Sequence, residues 1–236
     1  MRRLVLVVAG MALASIASVH GSLCAGPEAE APPARFVERE SIVAILTHRG
    51  GFAKGLAHDH LIAAPLGAVQ LRFREAAPEA SSFLLEFPVE ELLVDDSELR
   101  KRWSPRLVEL GLLAEPMDAL DEKDRAKIRT AMLDKDQLDA SSFPTMRMEL
   151  DSIRKESTQV GGEPFAYVLS VAFTIHGTTV HRDLAGRMAA ESNCPSVEAV
   201  GGLTFSALGI HPYSAALGAV RNRDEMDVYL YLTLDC

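Results

Sequence analysis

The chain has no apolar run long enough to cross a membrane as a helix. Its longest, Leu4 to Ala17, falls short of the roughly 20 residues a spanning helix needs. It has no phosphate loop, dinucleotide fingerprint, nucleophile elbow or His-Glu-x-x-His helix, so the enzyme classes those motifs announce have no footing here. A Ser–His–Asp triad depends on geometry and stays open. Basic residues are in the minority, 24 against 33 acidic, for a net charge of −9. An acidic body without a basic stripe excludes nucleic acid and anionic membrane surfaces as partners. Cysteine is scarce, and the spacing of Cys24, Cys194 and Cys236 has no metal signature. Aromatic residues make up 6% of the chain, with Trp103 the single tryptophan. No cofactor is implied.

What is present begins with an address. Arg2 and Arg3 precede the apolar run, and small residues follow it, as in a secretory signal. Residues 1–25 are expected to be a cleaved signal peptide, cut after Gly21 or Ala25, with the mature N-terminus between Ser18 and Gly26. Leu23 stands where a lipobox before Cys24 wants a small residue. Residues 26–35 continue a Pro-, Ala- and Glu-rich stretch that reads as a linker. Export implies an oxidising compartment, in which Cys194 and Cys236 are expected to pair and tie the last strand to a loop.

From Glu40 onward the pattern is short strands of period two. Val69, Leu71 and Phe73 alternate with polar neighbours. So do Met146, Met148 and Leu150, and Leu203, Phe205 and Ala207. The longest row is Tyr167, Leu169, Val171, Phe173 and Ile175. Val228, Leu230, Leu232 and Leu234 form a last strand suited to closing against the first. One apolar face per strand means half-buried antiparallel strands, in a sandwich or a barrel. The stretch near 97–138 breaks the rhythm. It predicts one or two inserted helices, over a barrel mouth or its side, with Asp121 as a cap and with Pro105 and Pro116 as dividers. Asp95 and Asp96 read as solvated loop charges.

The densest polar cluster is Gly55-Leu56-Ala57-His58-Asp59-His60. On a strand, His58 and His60 share a face, which makes them weak candidates for metal ligands, with Asp59 turned away. A polar turn and a ligand-facing polar role are the other readings. His176 lies in a second turn. Phe73, Phe83, Phe87, Tyr167, Phe173 and Phe205 are candidate cavity-lining residues, and period two puts Leu169 and Val171 on the face of Phe173. The same side chains would equally fill a packed core.

The order of these motifs resembles the YceI-like family of polyisoprenoid-binding proteins. The resemblance is carried by Gly50-Gly51-Phe52 with the histidine cluster, by Ile128 to Asp134 with Leu138 to Pro144, and by Phe173-Thr174-Ile175-His176-Gly177-Thr178-Thr179. Gly209-Ile210 and the last strand complete it, over roughly 36–236. It implies an all-β, lipocalin-like antiparallel barrel of about eight strands, and a periplasmic carrier, not an enzyme, for a quinone or polyprenyl chain. His58, His60 and His176 would then line the mouth. A metal-binding protein built on His58 and His60, and a filled-barrel stress or interaction domain, are the alternatives.

Overall fold

The computed structural model describes residues 33–52, 57–74, 76–189 and 194–235, with the side chains of Ala189 and Ala216 left aside. The predicted signal peptide, most of the linker, Cys24 and Cys236 lie outside these residues. No helix among them is long and apolar enough to cross a membrane.

The strands are β1 (Ile42–Gly50), β2 (His60–Ala63), β3 (Val69–Arg72), β4 (Ser82–Pro88), β5 (Leu93–Val94), β6 (Thr145–Val160), β7 (Glu163–Ile175), β8 (Thr178–Ala189), β9 (Ser196–Thr204), β10 (Ser214–Ala215) and β11 (Val220–Thr233). They form one antiparallel sheet in the order β3-β4-β6-β7-β8-β9-β11-β1-β2-β5, with β10 on the side of β11. The fold is thus all-β and curled like a lipocalin barrel, with eleven strands among the described residues where about eight were expected. The excess is short pieces: β2, β3, β5 and β10 have two to four residues each, and of these β3 alone showed its alternation in the sequence. The last strand does pair with the first, with Val228 opposite Ile45 and Leu230 opposite Val43. The ladder stays open between β3 and β5. A strap of residues 34–37 links β3, one end of the path, to β11: Ala34 N donates to Leu71 O at 2.7 Å, and Val37 N donates to Thr233 O at 2.8 Å.

Period two sorts each strand between two apolar layers. On β1, Val43 and Ile45 face the concave interior with Val228 and Leu230 of β11. Ile42, Ala44 and Leu46 face outward. There they meet α1 (Ser97–Glu109), whose Trp103 and Leu107 pack on Tyr229. Asp96 caps α1, accepting from the amides of Glu98 and Leu99. Pro105 divides nothing; it sits inside α1. Its missing N–H leaves the Lys101 carbonyl unbonded, on a face where both residues are exposed to water.

The second helix, α2 (Glu122–Leu133), is capped by Asp121, which accepts from Asp124 N at 2.8 Å. Its Met132 and Leu133 rest on the interior layer. None of its residues is fully buried, so it covers the open side of the curl instead of entering the core.

Candidate functional site

Between the concave face and α2 lies a cavity of about 240 Å³. Its floor is Val43, Ile45, Leu85, Phe87, Met146, Met148, Phe173 and Val228, and its roof is Ile128, Ala131 and Met132 of α2. Among the described residues its wall contains no Ser, Cys, Asp or Glu. The rim is polar, with Lys127, Gln137, Arg147 and Asn222. Across the mouth, Gln137 Nε2 donates to His211 O at 3.0 Å and so joins the loop after α2 to the segment before β10. On the other flank Arg129 donates to the carbonyls of Leu92, at 2.9 Å, and Glu90.

Of the expected lining residues, Phe87, Phe173 and Phe205 are in the wall. Phe83 and Val171 are buried in the interior layer but away from the cavity, and Phe73 and Leu169 pack half-buried against that layer. Tyr167 is half-buried and belongs to neither layer. The displacement has local causes. The chain leaves β3 at Arg72, one residue before Phe73. Leu169 lies across Gly186 of β8, where an added Cβ would meet its Cδ1 at 2.0 Å.

The three histidines are not brought together. His58 precedes β2 and is exposed, whereas His60 opens β2 and turns into the cavity. The shared face expected for them requires strand at His58. Asp59 interrupts it by accepting from Arg49 N at 2.7 Å. Gly55 and Leu56 of the motif lie outside the described residues. His176 sits in a tight turn with φ of 52°, its ring centroid 4.5 Å from that of Phe143 and tilted 59° to it. It borders an outer groove with Lys135 and His211. Among the described residues no group of three His, Cys, Asp or Glu side chains is placed to hold a metal ion.

His60 has a partner that sequence reading passed over. Its Nδ1 lies 2.7 Å from Asp95 Oδ2, and Asp95 is fully buried, not a solvated loop charge. Asp95 Oδ1 accepts from Leu61 N at 2.9 Å and from the Arg100 guanidinium. Burial by itself would raise the Asp95 pKa. The hydrogen bond from His60, the Leu61 amide and the Arg100 charge outweigh it and hold the group below the usual carboxylate range. An ionised carboxylate accepts hydrogen bonds and cannot donate, so the proton between the two groups belongs to His60 Nδ1. The other ring nitrogen, Nε2, is left unprotonated in the neutral imidazole. Asp95 itself has φ of 49°, a left-handed conformation that Asp tolerates better than most residues. Its N–H donates to Leu61 O at 2.9 Å, which fixes it there.

No protein-family model and no curated protein matches this chain. Solved structures do. BcnA of Burkholderia cenocepacia aligns with a TM-score of 0.49 and 15% identity, over 84% of this chain and 98% of that one. A polyisoprenoid-binding domain from Saccharophagus degradans, described as implicated in plant cell wall breakdown, aligns at 0.41 and 7%, over 86% and 98%. A YceI protein of Campylobacter jejuni aligns at 0.41 and 10%, over 71% and 80%. These structures include the family that the sequence resembles. At such identities they carry no ligand over to this chain, and its own cavity has to supply the argument.

Proposed function

We propose that this protein is an exported carrier that holds one apolar chain of isoprenoid type, a quinone or polyprenyl lipid, between its half-barrel and α2. The observation that carries the reading is the cavity itself. Protein interiors close to near-crystalline density, and a void lined by Val, Ile, Leu, Met and Phe loses contacts unless something fills it. The wall's lack of Ser, Cys, Asp and Glu among the described residues favours binding over hydrolysis.

Size sets the manner of binding. At about 240 Å³ the cavity lies below the roughly 300–1,000 Å³ of drug-sized sites. A long tail therefore lifts α2 or runs out through the mouth. α2 suits that role, because it is held by the Arg129 bonds and the Gln137 latch and has no fully buried residue.

Native mass spectrometry of the protein purified from its own host tests the reading. A retained hydrophobic mass is expected. A bound divalent metal favours a site at His58 and His60 instead, and an empty protein favours a filled barrel. Export is supported by Arg2, Arg3 and the apolar run behind them. N-terminal sequencing of periplasmic protein is expected to begin between Ser18 and Gly26, and an intact Met1 refutes export.

A further inference from the structure

Within this apolar cavity two polar side chains stand side by side. Thr47 on β1 is the cross-strand neighbour of His60 on β2, and both face the cavity. Directly opposed residues on one face of an antiparallel pair have Cβ atoms roughly 4.5–5.5 Å apart. Thr47 is 3% exposed, and its hydroxyl has no hydrogen-bond partner among the described residues. Buried hydroxyls are bonded in the large majority of cases, and leaving one unpaired costs stability. His60 Nε2 is also without a partner among the described residues. Its ring cannot turn away, because Nδ1 is tied to Asp95, and Asp95 is tied in turn to Leu61 and Arg100. Two open hydrogen-bonding positions, one of them nine-tenths buried, therefore stand on directly opposed residues of β1 and β2 in the cavity lining.

We infer that Thr47 and His60 form an anchor for a single hydroxyl head group, so that the ligand is an alcohol or phenol on an apolar chain. The inference rests on the cavity holding an apolar ligand. The complementarity is specific. With the ring proton on Nδ1, the ligand O–H donates to Nε2, while the ligand oxygen accepts from the Thr47 O–H. A carbonyl or ether oxygen accepts from Thr47 but has no proton for Nε2, and it leaves that nitrogen desolvated and unpaired. Sites built to bond a hydroxyl discriminate strongly against analogues that lack it for this reason. Asp95 and Arg100 touch no ligand. They position the imidazole and set its tautomer.

Farnesol and farnesyl methyl ether share one chain and differ in the O–H. Their dissociation constants are measured at neutral pH against the purified, delipidated full-length protein by displacement of a fluorescent apolar probe. Farnesol is expected to bind about tenfold more tightly, the worth of one good hydrogen bond. In Thr47→Val, which keeps the side-chain shape, both ligands lose the bond from Thr47 and bind several-fold more weakly; unchanged binding of both overturns the anchor. In Asp95→Asn the preference narrows although no cavity residue has changed, which a purely space-filling role for Asp95 does not explain. If that variant fails to fold, Thr47→Val decides. Equal binding of the two ligands by the wild type overturns the anchor and leaves the cavity reading standing. Binding of neither overturns both. Hydrolysis of farnesyl acetate that is lost in Thr47→Val overturns the anchor in favour of a catalytic hydroxyl.

Discussion

Arg106 Nε donates to Glu198 Oε1 at 2.9 Å, and through that bond α1 is fastened to the outside of the sheet. Glu198 is fully buried and accepts further bonds from Arg187 Nε at 2.8 Å and Tyr229 Oη at 2.9 Å. The Tyr229 hydroxyl is driven far up in pKa, first by burial and then by the charge of Glu198, so it stays protonated as a donor. Removing one member of such a cluster strands the others. Glu198→Ala leaves two guanidinium groups facing each other in a half-buried site. It is expected to cost about 3–5 kcal/mol, the range for breaking buried ion pairs. The urea midpoint measures it, and a shift corresponding to less than 1 kcal/mol contradicts the fastening role.

The same cluster predicts an acid-sensitive term. Glu163 takes a two-pronged grip from Arg106, at 2.6 and 2.8 Å, and touches Arg187 Nη2 at 2.7 Å. The Arg106 hydrogen bond is the chief cause that holds its pKa down at about 2. A carboxylate with a depressed folded-state pKa stabilises the fold above its ordinary value, and the contribution disappears as pH falls through the folded value. The side chain is 32% exposed, so solvent screening leaves roughly 1 kcal/mol of the effect. Between about pH 5 and pH 2 the wild type is expected to lose stability more steeply than Glu163→Gln, as read from denaturant midpoints at stepped pH. Parallel curves would show that Glu163 contributes nothing through its charge.

The sequence carried the fold where burial alternates, and failed where it does not. Val228 to Leu234 and Leu169 to Ile175 showed their periodicity, and both are strands. Ser152 to Gln159 showed none, yet β6 runs through it. That half of the strand is mostly exposed, and its register is set by β7 and by the Arg154–Asp183 pair. The site was legible in its apolar part through Phe87 and Phe173. It was illegible in its polar part, because Thr47 looks like any β-branched strand residue, and the union of His60 with Asp95 spans 35 positions. One signal was available. Asp96 followed by Ser97 and Glu98 is a helix start, and a capped helix held against the sheet leaves its preceding Asp95 little room to be solvated.

The Gln137–His211 bond makes a separate prediction about exchange. It spans the mouth, and a single neutral hydrogen bond contributes about 0.5–1.5 kcal/mol. Gln137→Ala is therefore expected to release a bound fluorescent apolar probe roughly 2–10-fold faster, with little change in the thermal midpoint. Unchanged release under stopped-flow dilution would show that the chain leaves by another route.

Cys194 is disulfide-bonded. Its neighbours lie against the end of β11: Leu234 N donates to Pro195 O at 2.9 Å, and Ser196 is in register with Thr233. That register brings the chain around Cys194 alongside the C-terminal residues, so Cys236 is the expected partner, at the Cα separation of about 4.4–6.8 Å that a disulfide allows. Non-reducing peptide mapping is expected to yield one cross-linked peptide containing Cys194 and Cys236. A peptide joining Cys194 to Cys24 would refute the pairing and, of the two expected cleavage sites, exclude the one after Ala25.

The most direct test of the cavity compares two neighbours on β7. Phe173 and Val171 are both nearly inaccessible to solvent, but Phe173 is in the cavity wall and Val171 is not. A Phe truncated in a dense core costs about 3–5 kcal/mol, because the ring loses contacts on every side and leaves a hole. One side of the Phe173 ring already faces empty space, so fewer contacts are lost. Phe173→Ala in lipid-free protein is expected to cost about 1–3 kcal/mol, under that range, and to enlarge the site toward bulkier apolar ligands. Val171→Glu has no such relief. It buries an unpaired carboxylate in the interior layer and is expected to prevent folding under conditions where the wild type is stable. Urea titration of both variants, beside a capacity assay with a graded series of prenols, reads both effects. If Phe173→Ala loses the full dense-core amount and its ligand range matches that of the wild type, the interior is packed and the carrier reading fails.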